Sequence, residues 1–303
     1  MGTFLGHFLP GLAFAILGVW HMLNTVKSYK LRGPSGFRSA TWFPFPSPLP
    51  WLRRLELYLL LSFSALAIAD QLVDLPILAL CLQPDSLEHA TMYLHLALYA
   101  SVALAADVLS GERRSAAAGI ADMVTALAAS VFGQELFLLR FHSADHAGLE
   151  GHYHWLLQLV VAASLAATAA SAAAPGSFAV AVVRSGSVLL QGVWFMAMGF
   201  ALWVPALVPS GCHGVVAEEA AAMRSAVACA TEQAARRAAV MANLQFSWAI
   251  AAVWVVTAYL CLRVDFGVGC LEYMQLQPPP PGSVIAGDGD TPRKIVLPVE
   301  EQV

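Results

Sequence analysis

Residues 178–204 read FAVAVVRSGSVLLQGVWFMAMGFALWV, and this stretch decides the fold. Arg184 is its only charged residue. A bilayer core is crossed by about 20 apolar residues in helical form, and this stretch is long enough. Six others match it in kind: residues 4–26, 52–77, 89–109, 116–141, 153–173 and 239–262. The second carries Asp70, Asp74 and Pro76 in its last third, and the fourth and fifth are rich in Ala, which permits close helix contact.

The whole composition agrees with that reading. Of 303 residues, 58% are apolar and only 12% charged, about half the charge of an ordinary soluble domain. Mean hydropathy is +0.66. So much apolar side chain would leave too little polar surface to cover a soluble globule, and it excludes a disordered chain. With 16 Lys and Arg against 20 Asp and Glu, the charge balance excludes a nucleic-acid binder, which needs a cationic surface. The expected class is an all-α, polytopic membrane protein with a seven-helix transmembrane bundle over residues 1–263. Its obligate partner is the lipid bilayer.

Twelve of the 16 Lys and Arg fall on one side of this arrangement, chiefly between the first two spans and after the last. The positive-inside rule then places the N-terminus outside and the C-terminus in the cytosol. The first span reads as a membrane helix rather than a cleaved signal, because its apolar run is long and Lys27 and Lys30 follow it. Neither a dinucleotide fingerprint, a phosphate loop nor an internal repeat is present.

Three pieces lie outside the spans. Residues 27–50 are cationic and Pro-rich, and are expected along the cytosolic headgroups. Residues 205–237 form the one long outer loop. There, Cys212 and Cys229 either pair in an oxidising compartment or stay as two thiols; spacing does not choose between them. Residues 264–303 contain Pro278–Pro281, six acidic and two basic residues, and read as a disordered cytosolic tail. Within it, Tyr273–Leu276 has the Tyr-x-x-apolar form that a trafficking adaptor could capture as an added strand.

Histidines gather at one face. In this topology seven of the nine His are outer residues, among them His7, His89, His142, His146, His152 and His154. His21 lies near the cytosolic side and His95 deeper. At about 1.5 Å per residue, Asp70, His95 and Glu135 stand at matched depth, about 10 Å below the outer ends of three spans. Intramembrane carboxylates are costly and require a partner, a proton or water.

Two readings follow. In one, His89, Glu135, His142, His152, His154 and Asp70 converge on a divalent transition metal such as zinc, with His7, His95 and Gln191 around them. An open coordination position could then polarise water for hydrolysis. In the other, the same groups are interface residues and hydrogen-bonded packing pairs. His152 and His154 project to opposite sides of a helix, so both could hold one ion only from an unwound turn. A haem pair is disfavoured, because His21 and His95 lie near opposite leaflets. A receptor or scaffold acting through the tail is a third class. Trp194 and Phe195 read as packing or lipid contacts.

The runs Gly6-His7-Phe8-Leu9-Pro10-Gly11, Ile68-Ala69-Asp70-Gln71 and 89–94 resemble the transmembrane protein 45 family (domain of unknown function 716). So do Glu135 with His142, His152-x-His154, Arg184, and Leu190-Gln191-Gly192-x-Trp194-Phe195. The resemblance covers about residues 2–263. Ala242–Trp248 is similar to the plant branch, which is associated by name with responses to virus. The resemblance implies a multi-pass membrane protein whose biochemical activity is not established. Its motif positions correspond to Asp70, His89, Glu135, His142, His152, His154 and Gln191. His95 and His146 depart from the animal pattern.

Overall fold

The computed structural model describes residues 3–73, 84–110, 117–142, 146–215 and 225–264. The apolar stretches are helices: α1 Phe4–Gly36, a short α2 Pro50–Arg53, α3 Leu55–Val73, α4 Pro84–Ser110, α5 Ala117–His142, α6 Gly148–Ala173, α7 Phe178–Trp203 and α8 Glu232–Arg263. Apart from α2, all seven are long and apolar enough to cross a membrane. Thr3, Ser177 and Thr231 start α1, α7 and α8 by accepting from the backbone N–H three residues on, as side-chain N-caps do. α1 kinks at Gly33, whose φ is +68°.

Six helices form a ring. α7 packs on α1 and α6, α6 on α5, α5 on α4, and α4 on α3. Polar side chains from α1 reach Glu56 on α3 and close it. α8 lies outside, against α6 and α7. The α1–α7 seam is the closest approach. A Cβ on Gly18 would stand 2.4 Å from the Leu189 backbone nitrogen, and one on Gly192 would stand 2.2 Å from that of Ala15. Only Gly admits these backbones so near to one another. Trp194, fully buried, anchors the interior of α6, α7 and α8, stacked on Tyr153 and met edge-on by Phe246.

The pattern of exposure inverts that of a soluble protein. Leu66 and Val255 are 72% and 68% exposed, while Glu56, Glu135 and Arg184 are buried. Large apolar side chains facing outward with charged groups held inside is the arrangement a lipid solvent selects.

The inter-helix segments differ from their expected form. α1 continues ten residues past Val26, and residues 37–49 turn back onto the bundle. Phe37 and Phe43 are buried there, and the carbonyls of Ala40 and Thr41 accept from Arg184 and Tyr99. The aromatic side chains gain burial while the carbonyls remain satisfied, so folding back is favoured. α8 starts at Glu232, within the expected outer loop. Ahead of it, β1 Cys212–Gly214 pairs antiparallel with β2 Val227–Cys229. The Cys212 and Cys229 sulfurs are bonded at 2.06 Å. The expected tail, with Tyr273–Leu276, lies outside the described residues, as do Asp74, Pro76, Cys81 and Cys270.

Candidate functional site

Inside the ring lies a cavity with room of about 150 Å³ for the centres of water-sized groups. α1 and α7 run antiparallel, so the cavity has two ends: one near the β1–β2 hairpin, the other under residues 37–49. His7, His89, His146 and His154 line the hairpin end, and His21, Glu56 and Arg184 the other. Glu135 lies between them. Apolar side chains make up most of the rest of its wall, together with Thr41, Tyr93, Tyr99 and Thr168.

At the hairpin end, one ligand atom each from His146, Glu150 and His154 lie within 4.8 Å of one another. Their spacing is the reason: positions four apart share a helix face, and His146, just before α6, continues that row. The His146 Nδ1 stands 3.1 Å from Glu150 Oε1. The His154 Nδ1 donates to the Glu150 carbonyl at 2.9 Å, which puts the ring's lone pair on Nε2. His7 is held in the same way, with Nδ1 donating to the Thr3 carbonyl at 3.0 Å. Its ring centroid is 5.7 Å from that of His154. The second Glu150 oxygen accepts the Ala226 N–H at 2.6 Å and so ties the hairpin to the cluster. This triad is also the only such three-residue group of His, Cys, Asp and Glu among the described residues.

The sequence-predicted ligands divide. His154 joins the triad, and His7 and His89 line the same cavity. Glu135 does not join the triad; it accepts from Gln191 Nε2 at 2.5 Å, deep in the ring. His152 turns away, its Nε2 2.8 Å from Asn243 Oδ1 and its ring stacked on Trp155. Two residues of helix rotate a side chain by about 200°, which separates it from His154. Asp70 is exposed, on the outward side of α3 beside Gln71. The Nδ1 of His95 donates to its own helix at Thr91, so that ring is used locally. The His142 side chain lies outside what is described. His146 and Glu150 are the members that residue-by-residue reading missed as ligands, although the spacing His146-x3-Glu150-x3-His154 signals them.

The other end was also missed. The Glu56 carboxylate accepts from Trp20 Nε1 at 2.7 Å, His21 Nε2 at 2.8 Å and the Phe43 N–H at 2.9 Å. Trp20 is therefore a donor toward the ring's interior. Arg184, the one charged residue of the stretch 178–204, is buried and donates through Nη2 to the Ala40 carbonyl.

The fold and this interior define a polytopic helical membrane protein with a polar-ended internal cavity. Residues 121–262 match a family model described as a family of unknown function (DUF716). The matched segment runs from α5 into α8 and includes the His146, Glu150 and His154 triad.

Proposed function

We propose that the protein is an integral membrane metal-binding protein, holding a divalent transition ion of zinc type on His146, Glu150 and His154. The observation that carries this is the mutual approach of three ligand atoms within 4.8 Å. An ion about 2.0–2.2 Å from each nitrogen or oxygen fits there after a small rotation of His146, which precedes the helix. Imidazole with carboxylate suits zinc and its neighbours better than calcium or magnesium. His7 offers a further imidazole. A position left open toward the cavity would polarise water, which supports metal-assisted hydrolysis as the associated chemistry.

The motifs at residues 6–11 and 68–71, outside the matched segment, support a place among the transmembrane protein 45 proteins, and Ala242–Trp248 supports their plant branch. The Lys and Arg distribution supports a cytosolic linker end and an outer hairpin end, where a disulfide persists.

A second reading has its own support. His146 and His154 rings stack at 4.5 Å, 7° from parallel, and Glu150 already accepts from the hairpin. This would make the triad a clamp without metal. Metal content of the purified full chain by plasma mass spectrometry separates the two. The metal reading expects one zinc per chain, at least tenfold less in His154→Ala, and a higher melting temperature on adding zinc. Wild-type protein that holds no metal and gains no stability from zinc leaves the clamp.

A further inference from the structure

The cavity is long, narrow and differently furnished at its two ends. His7 and His21 both line it, and the helical rise from one to the other, 14 residue steps, is about 21 Å. Phe14, Leu60, Phe63, Leu96, Val131 and Phe132 supply apolar wall along that length. The linker end presents a cation with unused capacity. Arg184 is 4% exposed, its Nη2 is bonded to the Ala40 carbonyl, and its Nη1 has no hydrogen-bond partner among the described residues. Burying a guanidinium donor without an acceptor is costly. Glu56 does not relieve it, because the carboxylate is engaged by Trp20, His21 and Phe43.

We propose that the cavity binds a single-chain lipid with a carboxylate head, the head on Arg184 Nη1 and the chain extending toward the hairpin end. Length favours one long acyl chain: about 21 Å corresponds to roughly 17 bonds at about 1.2 Å each, one third of the extended reach of a residue. The small volume admits one chain and excludes a two-chain phospholipid. Charge selects the head. One carboxylate matches one guanidinium, whereas a phosphate monoester, carrying nearly two charges, would meet Glu56 at the same end. This inference does not depend on metal at the hairpin end.

Native mass spectrometry of the full chain, released from detergent with hexadecanoate, hexadecanol or hexadecyl phosphate added, tests it. One hexadecanoate per chain is expected, with hexadecanol at least tenfold weaker. Arg184→Gln should weaken hexadecanoate at least tenfold, while Arg54→Gln, at the ion pair with Asp107, leaves it unchanged. The probe series on unaltered protein keeps the inference exposed even if Arg184→Gln fails to fold. Absence of a hexadecanoate adduct overturns it, as does equal binding of the alcohol. Tighter binding of hexadecyl phosphate overturns the carboxylate assignment in favour of a phosphate head.

Discussion

Replacing Gly192 by Ala tests the α1–α7 seam, which holds one wall of the cavity. The added Cβ would lie 2.2 Å from the Ala15 nitrogen, 2.6 Å from the Gly11 oxygen and 2.7 Å from the Ala15 Cα. Comfortable heavy-atom contact begins near 3.5 Å, so the helices must part by about 1 Å. The obstacles are all backbone and cannot rotate aside. A gap of 0.5–1 Å forfeits about a quarter to a half of each dispersion contact along the seam. Overpacking a fitted core typically costs about 1–3 kcal/mol, and backbone obstacles argue for the upper end. At about 2–4 °C per kcal/mol for a large domain, the melting temperature in detergent should fall by about 6–12 °C. Gly186→Ala is the internal control. Its Cβ would meet only Met22 Cε and Val253 Cγ1, both at 3.5 Å, so its midpoint should stay near wild type. Equal midpoints for Gly192→Ala and wild type would show that the close approach is not real.

Two further outcomes follow from packing and covalent structure. Trp194→Ala removes a fully buried indole stacked on Tyr153 and should cost about 3–5 kcal/mol, read from unfolding in denaturing detergent. Cys212→Ser opens a bridge between residues 17 apart and should cost about 3 kcal/mol on the chain-entropy account. A non-reducing peptide map of wild type should show the joined Cys212 and Cys229 peptides, and two free thiols would refute the bridge.

The seven-helix class was legible because bilayer thickness sets a length that apolar runs such as residues 178–204 display openly. Gathering of His7, His89 and His154 at one end was legible too, since helix rise converts position into depth. Depth alone does not give azimuth. His152 and His154 share a depth but face Asn243 and the cavity respectively. Asp70 has the depth of a site residue and faces outward. Glu150 could have been found by asking which acids share the His146 and His154 helix face. The Glu56 and Arg184 end could not be read in this way. Their burial depends on residues 37–49 folding back over them, and composition assigned that segment to the headgroups. The side of the membrane is likewise a property of charge in the loops, and the helices alone carry no mark of it.

The ring around the cavity is sealed in two physically different ways, and this has a measurable consequence. On one flank α1 meets α7 through glycines and continuous packing. On the other it meets α3 through Glu56 and its donors, with few backbone approaches between the two helices. Opening the first flank exposes packed surface along its length. Opening the second breaks a few hydrogen bonds, each worth about 0.5–1.5 kcal/mol net and up to about 3 to a charged group. Local opening should therefore occur at the clasp, below the free energy of global unfolding. The Phe43 amide reports on it, because its hydrogen bond goes to the Glu56 side chain. Hydrogen exchange should find Phe43 less protected than the amides of α7 near Leu189. Glu56→Ala, which removes the acceptor outright, should accelerate exchange at Phe43 about tenfold or more and leave α7 unchanged. Equal protection at Phe43 and Leu189 in both proteins would mean that the two flanks open as one unit, and the distinction between seam and clasp would fail.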